Sequence, residues 1–183
     1  SILDFSNGDC PMSTLSVDTI QGKTTAGTVA IPNHVIQFVY VEETGTQAYA
    51  SDAEFDLFNA SITPTNVSSK ILISINIQYS FSNANGDFGL FLKRGSSRIG
   101  GKSNDTSRGG SNIWFANDDR VSDEAQGNYN LFNTSWQYLD SPSSSTSVTY
   151  TVGAKVTTVF NLNRHHGNSN GGTSSISLME IAG

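Results

Sequence analysis

The side chains in this sequence that could act as bases or nucleophiles near neutral pH are His34, His165, His166 and the thiol of Cys10. Nucleophilic catalysis needs a base within reach of a hydroxyl or thiol, and a third group that orients the base. His34 stands at the head of an apolar run after Pro32, and His165 and His166 sit in the Gly/Asn-rich stretch NLNRHHGNSNGG. No GxSxG elbow, CxxC pair or HExxH motif accompanies them, and the serines of SPSSSTS read as turn residues. No catalytic residue is expected. Neighbouring side chains on a strand point to opposite faces, so one chain cannot easily turn both His165 and His166 toward one metal ion. Exposed loop histidines are the simpler reading, with a symmetry-axis or receptor contact as the sharper one.

Asp118, Asp119, Asp123 and Glu124 form the densest acidic cluster. Calcium accepts roughly six to eight oxygen ligands, but the DxDxDG spacing of a calcium loop is absent. A glycoside-hydrolysing pair would need one carboxyl with a raised pKa in a cleft, and nothing in the polar run NDDRVSDEAQGN calls for burial. Neither a metal nor another cofactor is expected. The bases Lys93, Arg94, Arg98, Lys102 and Arg108 fall in one hairpin and the loop after it. Only Phe91 lies close before them, which is too little aromatic interleaving for a single-stranded nucleic-acid groove. The net charge of −6 also argues against nucleic acid. Trp114, Tyr129, Trp136 and Tyr138 could stack on sugar rings, although aromatic residues in short strands more often fill a core.

The elements that must position these groups are strands. Ser, Thr, Asn and Gly number 27, 17, 17 and 17 of 183 residues; all four are poor helix-interior residues that suit turns and the wet faces of strands. A helical bundle is excluded. One cysteine gives no disulfide framework, and the apolar runs fall short of the roughly 20 residues of a membrane helix. No basic region followed by an apolar stretch opens the sequence, so neither a leader nor membrane insertion is expected.

The clearest element is KILISINIQYSF. Ile71, Ile73, Ile75, Ile77, Tyr79 and Phe81 share one alternation, against Leu72, Ser74, Asn76, Gln78 and Ser80 on the other, which sets the period at two. HVIQFVYVEE is apolar on both alternations, as is the final SSISLMEIAG, where Ile176 and Leu178 oppose Met179 and Ile181. A strand with two dry faces needs a neighbour, which a symmetric oligomer can supply. EFDLFNASI, FGLFLKR, NIWFA and LFNTSWQYLD read as further strands. TSVTYTVGAKVTTVF reads as one more, with Val148, Tyr150, Val152, Ala154, Val156 and Phe160 on one face. NLNRHHGNSNGG reads as a loop. The expected fold is all-β: an antiparallel jelly-roll sandwich of about eight to ten strands over 34–183, preceded by an extended arm or stalk over 1–33. Charge is uneven, with −7 over 1–69, +4 over 70–110, −4 over 111–145 and +1 over 146–183. This suits a solvated surface, or complementary patches that meet across a subunit interface or on an acidic polysaccharide.

Five segments in order, MSTLSVDTIQGKTTAGTVAIP (12–32), SITPTNVSSKILISINI (61–77), LKRGSSRIG (92–100), WQYLDSP (136–142) and SSISLMEIAG (174–183), resemble the fibre and appendage proteins of tailed bacteriophages, especially those of marine bacteria. In these a short stalk leads into a head similar to the tumour-necrosis-factor and complement globular-head jelly rolls. The resemblance covers roughly 12–183; residues 1–11 and the acidic loop 116–130 lie outside it. It implies a homotrimer on the virion that attaches to the host surface, with no catalytic residues to carry over. Capsid decoration without a receptor role and a lectin-like carbohydrate-binding module remain as alternatives. Contacts with a host polysaccharide or protein are expected from loops 101–112, 116–130 and 163–173, naming Lys102, Arg108, Asp118, Asp119, Asp123, Glu124, Tyr129, His165 and His166. The arm is expected to meet other virion proteins.

Overall fold

In the computed structural model, the residues described are 33–49, 54–81, 88–103, 113–114, 116–118, 131–157, 159–164 and 171–183. Among them there is no helix. The strands are β1 (Val35–Glu43), β2 (Gln47–Tyr49), β3 (Glu54–Ile62), β4 (Lys70–Phe81), β5 (Phe88–Arg94), β6 (Ser97–Ile99), β7 (Lys102–Ser103), β8 (Ile113–Trp114), β9 (Ala116–Asp118), β10 (Phe132–Asp140), β11 (Val148–Val156), β12 (Phe160–Leu162) and β13 (Ser174–Ile181). The expected arm over 1–33 lies outside the described residues except for Asn33, whose N–H donates to the Ala182 carbonyl at 3.3 Å.

The strands build two main antiparallel sheets. Sheet A runs β1-β13-β4, with β10 on the other edge of β4 and β12-β2 continuing beyond β13 along the first edge. Sheet B runs β3-β11-β5, with β6 and β9 in succession on the outer edge of β5; β7 and β8 form a separate pair. The pairs β5·β9, β4·β10, β3·β11 and β1·β13 nest one outside the other in sequence. One long double ribbon is thus rolled so that its successive pairs alternate between the sheets. That arrangement is the jelly roll, as the sequence predicts. Five short strands outside the ribbon (β2, β6, β7, β8 and β12) raise the total above the expected eight to ten.

The core lies between the sheets. Every member of the β4 row from Ile71 to Phe81 is buried, together with Ile176 and Leu178 of β13. Facing them are Phe58, Ala60 and Ile62 of β3, Leu90 and Leu92 of β5, and Tyr150, Val152, Ala154 and Val156 of β11. Each fully buried apolar side chain contributes roughly 1.5–3 kcal/mol. A one-residue slip of β4 would turn its whole row outward.

Three departures from the simple alternation have local causes. In β1 a register shift between Val35 and Gln37 turns Val35 to the same side as Phe38 and Tyr40, because the extra residue of a bulge resets the pleat. In β3 a shift opposite Val152 and Gly153 lets Leu57 and Phe58 both be buried. The long strand expected up to Phe160 breaks at 157–159: β11 ends in sheet B, and Phe160, Asn161 and Leu162 cross to sheet A as β12, where all three are buried. The loop expected from Asn161 therefore begins later, at Asn163.

Gly153 shows how sheet B closes around its outer face. A Cβ there would meet the Phe91 ring and the Phe55 carbonyl oxygen at 2.9 Å, so only glycine lets Phe91 lie flat across β11. Gly153→Ala is expected to lower stability by about 1–3 kcal/mol through overpacking, read as a drop in the urea midpoint without a change in the secondary-structure signal.

Candidate functional site

Strand registers give the roll two unlike ends. Val35 pairs with Ile181, Ile181 with Lys70, and Asp140 with Ile71; Ile62 pairs with Val148 and Arg94 with Tyr150. These residues mark one end, here termed proximal, where the chain enters β1 and leaves β13. His34 O accepts from Ala182 N at 2.9 Å. The connections at this end are the compact 63–69, 95–96 and 141–147. The opposite, distal end is marked by Glu43, Phe81, Phe88, Asp118, Phe132, Val156 and Ser174. The strand ends that bracket 44–46, 50–53, 82–87, 119–131, 157–159 and 163–173 lie there.

Buried polar bonds root the distal connections. Asn163, fully buried with φ of 52°, takes the left-handed conformation that asparagine tolerates better than most residues. Its Nδ2 donates to the carbonyls of Glu43 (2.6 Å) and Gly45 (3.2 Å). Its Oδ1 accepts from Ser174 Oγ at 2.7 Å, and Ser174 Oγ in turn accepts from Gln78 N at 2.9 Å. The turn after β1, the start of 163–173 and the distal part of β4 are thereby tied together.

Of the residues singled out in the sequence, Lys102 pairs with Trp114 in the β7·β8 ladder and Asp118 with Phe88 at the distal end of β9. Arg108, Asp119, Asp123, Glu124, Tyr129, His165 and His166 lie outside the described residues. The strand ends that bracket 119–131 and 163–173 share the distal end, whereas 101–112 departs from the edge of sheet B between β6 and β9. Trp136 and Tyr138 stack on each other at 5.6 Å and pack against the core. The bases of the β5–β6 hairpin are paired within the chain: Lys93 with Asp56, Arg98 with Glu54, and Arg94 with Asp140 at 3.0 Å. The Arg98 guanidinium also sits 3.9 Å from the Phe91 ring centroid.

Two buried carboxylates escaped the sequence reading. Glu180 and Asp140 flank Ile71 in one inward row of sheet A. Asp140 accepts the Tyr150 hydroxyl at 2.7 Å and both contacts of Arg94 Nη1 at 3.0 Å, joining the two sheets. Burial, and then the bond to Asp140, push the Tyr150 phenol far above its ordinary range. Burial alone would raise the Glu180 pKa, but hydrogen bonds, those from Gln37 and Thr65 among them, outweigh it and hold the carboxyl below its usual value. Gln37 Nε2 donates to it at 2.6 Å, and the Thr65 N–H and hydroxyl each donate at 2.8 Å. A general acid requires the opposite shift, and Ile71 between the pair is fully buried, so no cleft separates them. Both carboxylates are structural clamps. A buried carboxylate among Ser, Thr and Gln leaves no period in a sequence, and only their cross-strand neighbours reveal it.

The outward faces of the sheets differ in charge. Sheet B turns Glu54, Asp56, Lys93, Arg98 and Lys155 outward. Sheet A turns out a transverse row of one apolar residue per strand, Phe38–Met179–Leu72–Leu139. Beside it lie Val35 and Ile181 on one side, and the row Tyr40–Ser177–Ser74–Gln137 on the other. Phe38 is 57% exposed, Tyr40 54% and Leu139 48%. Among the described residues of β1, β13, β4 and β10, charge enters this face only at its two ends, as Lys70 and Glu42.

Among the described residues no group of three His, Cys, Asp or Glu side chains could hold a metal ion, and no helix is long and apolar enough to cross a membrane. No protein-family model and no curated protein sequence matches the chain. Among solved structures, a chain in the structure of infectious bursal disease virus, Gx strain, superposes with a TM-score of 0.42 at 10% identity. The match covers 94% of this chain but 41% of the viral one, so this chain spans about two fifths of that protein's length.

Two stability outcomes follow. Tyr150→Phe removes a bond to a buried carboxylate and is expected to cost about 1.5–3 kcal/mol, read from urea unfolding. Glu180 has a folded pKa below its ordinary 4.5, so its contribution is full above that pH and fades as pH falls through the lower folded value. Wild-type stability should therefore fall more steeply below pH 4.5 than that of Glu180→Gln, the two curves converging in strong acid; parallel curves would contradict the assignment.

Proposed function

We propose that this chain is a non-enzymatic virion structural protein, the head of a homotrimeric phage fibre or appendage, which attaches to the host surface through its distal connections. The polarity of the roll carries this reading: β1 begins and β13 finishes at the proximal end, while the strand ends that bracket 82–87, 119–131 and 163–173 lie at the distal end. The rest of the particle would be met at the end where β1 begins and β13 finishes, and the opposite end would face the host. Rigid sheets that present loops are a common basis for recognition, and three copies would give weak single contacts avidity. The jelly-roll fold and the sequence resemblance to phage fibre proteins support the same reading.

The outward face of sheet A is the proposed surface between copies. Interface centres are depleted of charge and enriched in aromatic residues and Met, and this face has that character whereas sheet B carries the ion pairs Lys93–Asp56 and Arg98–Glu54. Exposed apolar groups lined up across four strands also exceed what isolated surface residues account for. In a threefold ring each copy meets the next through unlike patches, and a face without charge at its centre offers the neighbouring copy no like-charge repulsion there.

Sedimentation should give a mass near three times the 19.6 kDa of one chain, with Phe38→Ser and Leu139→Ser shifting it toward one chain at the same concentration. A wild-type protein that stays monomeric would overturn the assembly. Fluorescently labelled protein should bind intact cells of at least one strain in a panel of marine bacteria. Binding only to phage capsids would instead establish the decoration role, and specific binding of a purified glycan by a protein absent from virions would establish the lectin role.

A further inference from the structure

The outward face of sheet A holds a concavity of about 560 Å³ lined by Ser74, Asn76, Ser135, Gln137, Ser175 and Ser177, a size within the range of small-molecule sites. Resting on the attachment role proposed above, and naming a ligand class for it, we infer that this concavity is a binding subsite for a neutral saccharide of the host surface.

Its shape comes from side-chain size. Two transverse rows, Tyr40–Ser177–Ser74–Gln137 and Glu42–Ser175–Asn76–Ser135, cross β1, β13, β4 and β10. Serine occupies four of their six positions on β13, β4 and β10, and larger residues surround them. The apolar row Met179–Leu72–Leu139 stands on the proximal side, and Tyr40 of β1 pairs with Ser177. On the distal side Gln78 occupies the next row, with Gly172 lying against its amide. The concavity thus opens beside the end of 163–173, distal to the apolar rows assigned to contact between copies.

Its chemistry selects the ligand. Each of the six lining side chains ends in a hydroxyl or an amide, groups that both donate and accept. Gln137 Nε2 donates to Ser74 Oγ at 3.0 Å, and Asn133 Nδ2 donates to Asn76 Oδ1 at 2.7 Å, which orients both amides. Among the described residues, the Gln137 carbonyl, the Asn76 amide protons and the Ser175 and Ser177 hydroxyls are left for a ligand. An apolar ligand would strip these groups of water and leave them unbonded. Closely spaced sugar hydroxyls replace the hydrogen bonds that water makes. The exposed Tyr40 ring adds a face for the C–H side of a pyranose.

Charge narrows the class further. Glu42 is the one charged side chain in the two rows, and no base stands in them to offset it. Lys93, Arg94 and Arg98 are already paired within the chain. An acidic polysaccharide therefore meets repulsion here, whereas a neutral one meets none. β4 is paired along both edges, so the lining groups are in place before the ligand arrives, which lowers the ordering cost of binding.

The test titrates the isotope-labelled whole chain with neutral oligosaccharides from dextran, mannan, galactan and chitin, and with acidic alginate fragments as the counter-probe. NMR follows the side-chain amide signals of Asn76 and Gln137. At least one neutral saccharide should shift both signals saturably, and alginate should shift neither. Gln137→Ala removes one amide and Ser175→Phe fills the space; each should weaken that binding about ten-fold, with distant signals unchanged. Shifts produced by alginate alone would overturn the neutral class. Binding that neither variant weakens would place the site elsewhere, and silence from the whole panel would remove it. All three results leave the attachment role standing where labelled wild-type protein still binds cells. If no cells are bound while a neutral saccharide titrates these amides, the subsite stands and the attachment role falls.

Discussion

The six side chains that β4 turns into the sandwich fix the position of nearly everything else in the molecule. β4 is paired along both edges, with β10 on one side and β13 followed by β12 on the other, so its register is transmitted to the whole of sheet A. Its inward row from Ile71 to Phe81 is buried against β3, β5 and β11, which ties sheet B to the same register. At its distal end the row turns aromatic: Tyr79 and Phe81 pack with Phe88, Phe132 and Phe160, the last stacked on Tyr79 at 5.4 Å. At its proximal end Ile71 lies between the two buried carboxylates. A central strand held this firmly lets its outward alternation vary without endangering the fold.

That freedom is used unevenly. Sheet B meets solvent with ion pairs laid across an aromatic ring, an arrangement that adds little stability at a wet surface but opposes unwanted association. Sheet A replaces charge with apolar and neutral polar rows. Both faces rest on equally regular sheets, so the difference lies in side-chain choice and not in backbone geometry. Nested ribbon pairing adds a second asymmetry, by collecting both the entrance to β1 and the exit from β13 at one end. In the proposed function, assembly, anchoring and recognition would occupy separate parts of one small scaffold.

Asp140 and Glu180 show how a group with catalytic potential becomes part of the frame. An ionised carboxylate is tolerated in the interior only when hydrogen-bonded or paired. Asp140 has a guanidinium and a phenol; Glu180 has neutral donors from β1 and from the 63–69 turn. Their bonds close the proximal end, where the connections are short. At the distal end Asn163 plays the corresponding part with an uncharged side chain, tying the turn after β1 to the start of 163–173.

Much of the fold was legible in the residues because burial on a pleated strand imposes a period of two. The β4 row, the alternation of β13 and the all-β character follow from that period and from the scarcity of helix formers. The two-sided apolar character of β1 is also legible, and the structure buries one alternation and leaves Phe38 and Tyr40 of the other exposed. Period alone could not give the bulges that turn Val35 outward and bury Leu57 beside Phe58, since one extra residue resets the alternation with no mark in composition. Nor could it give the crossing of Phe160 into sheet A, the partners of Lys93, Arg94 and Arg98, or the clamps on Asp140 and Glu180. Those depend on which strands become neighbours, and strand pairing joins residues far apart in the chain. The sequence by itself determined which side chains seek the interior; only the rolled tertiary structure decided which of them meet, because contacts across a sheet are set by register and not by proximity along the chain.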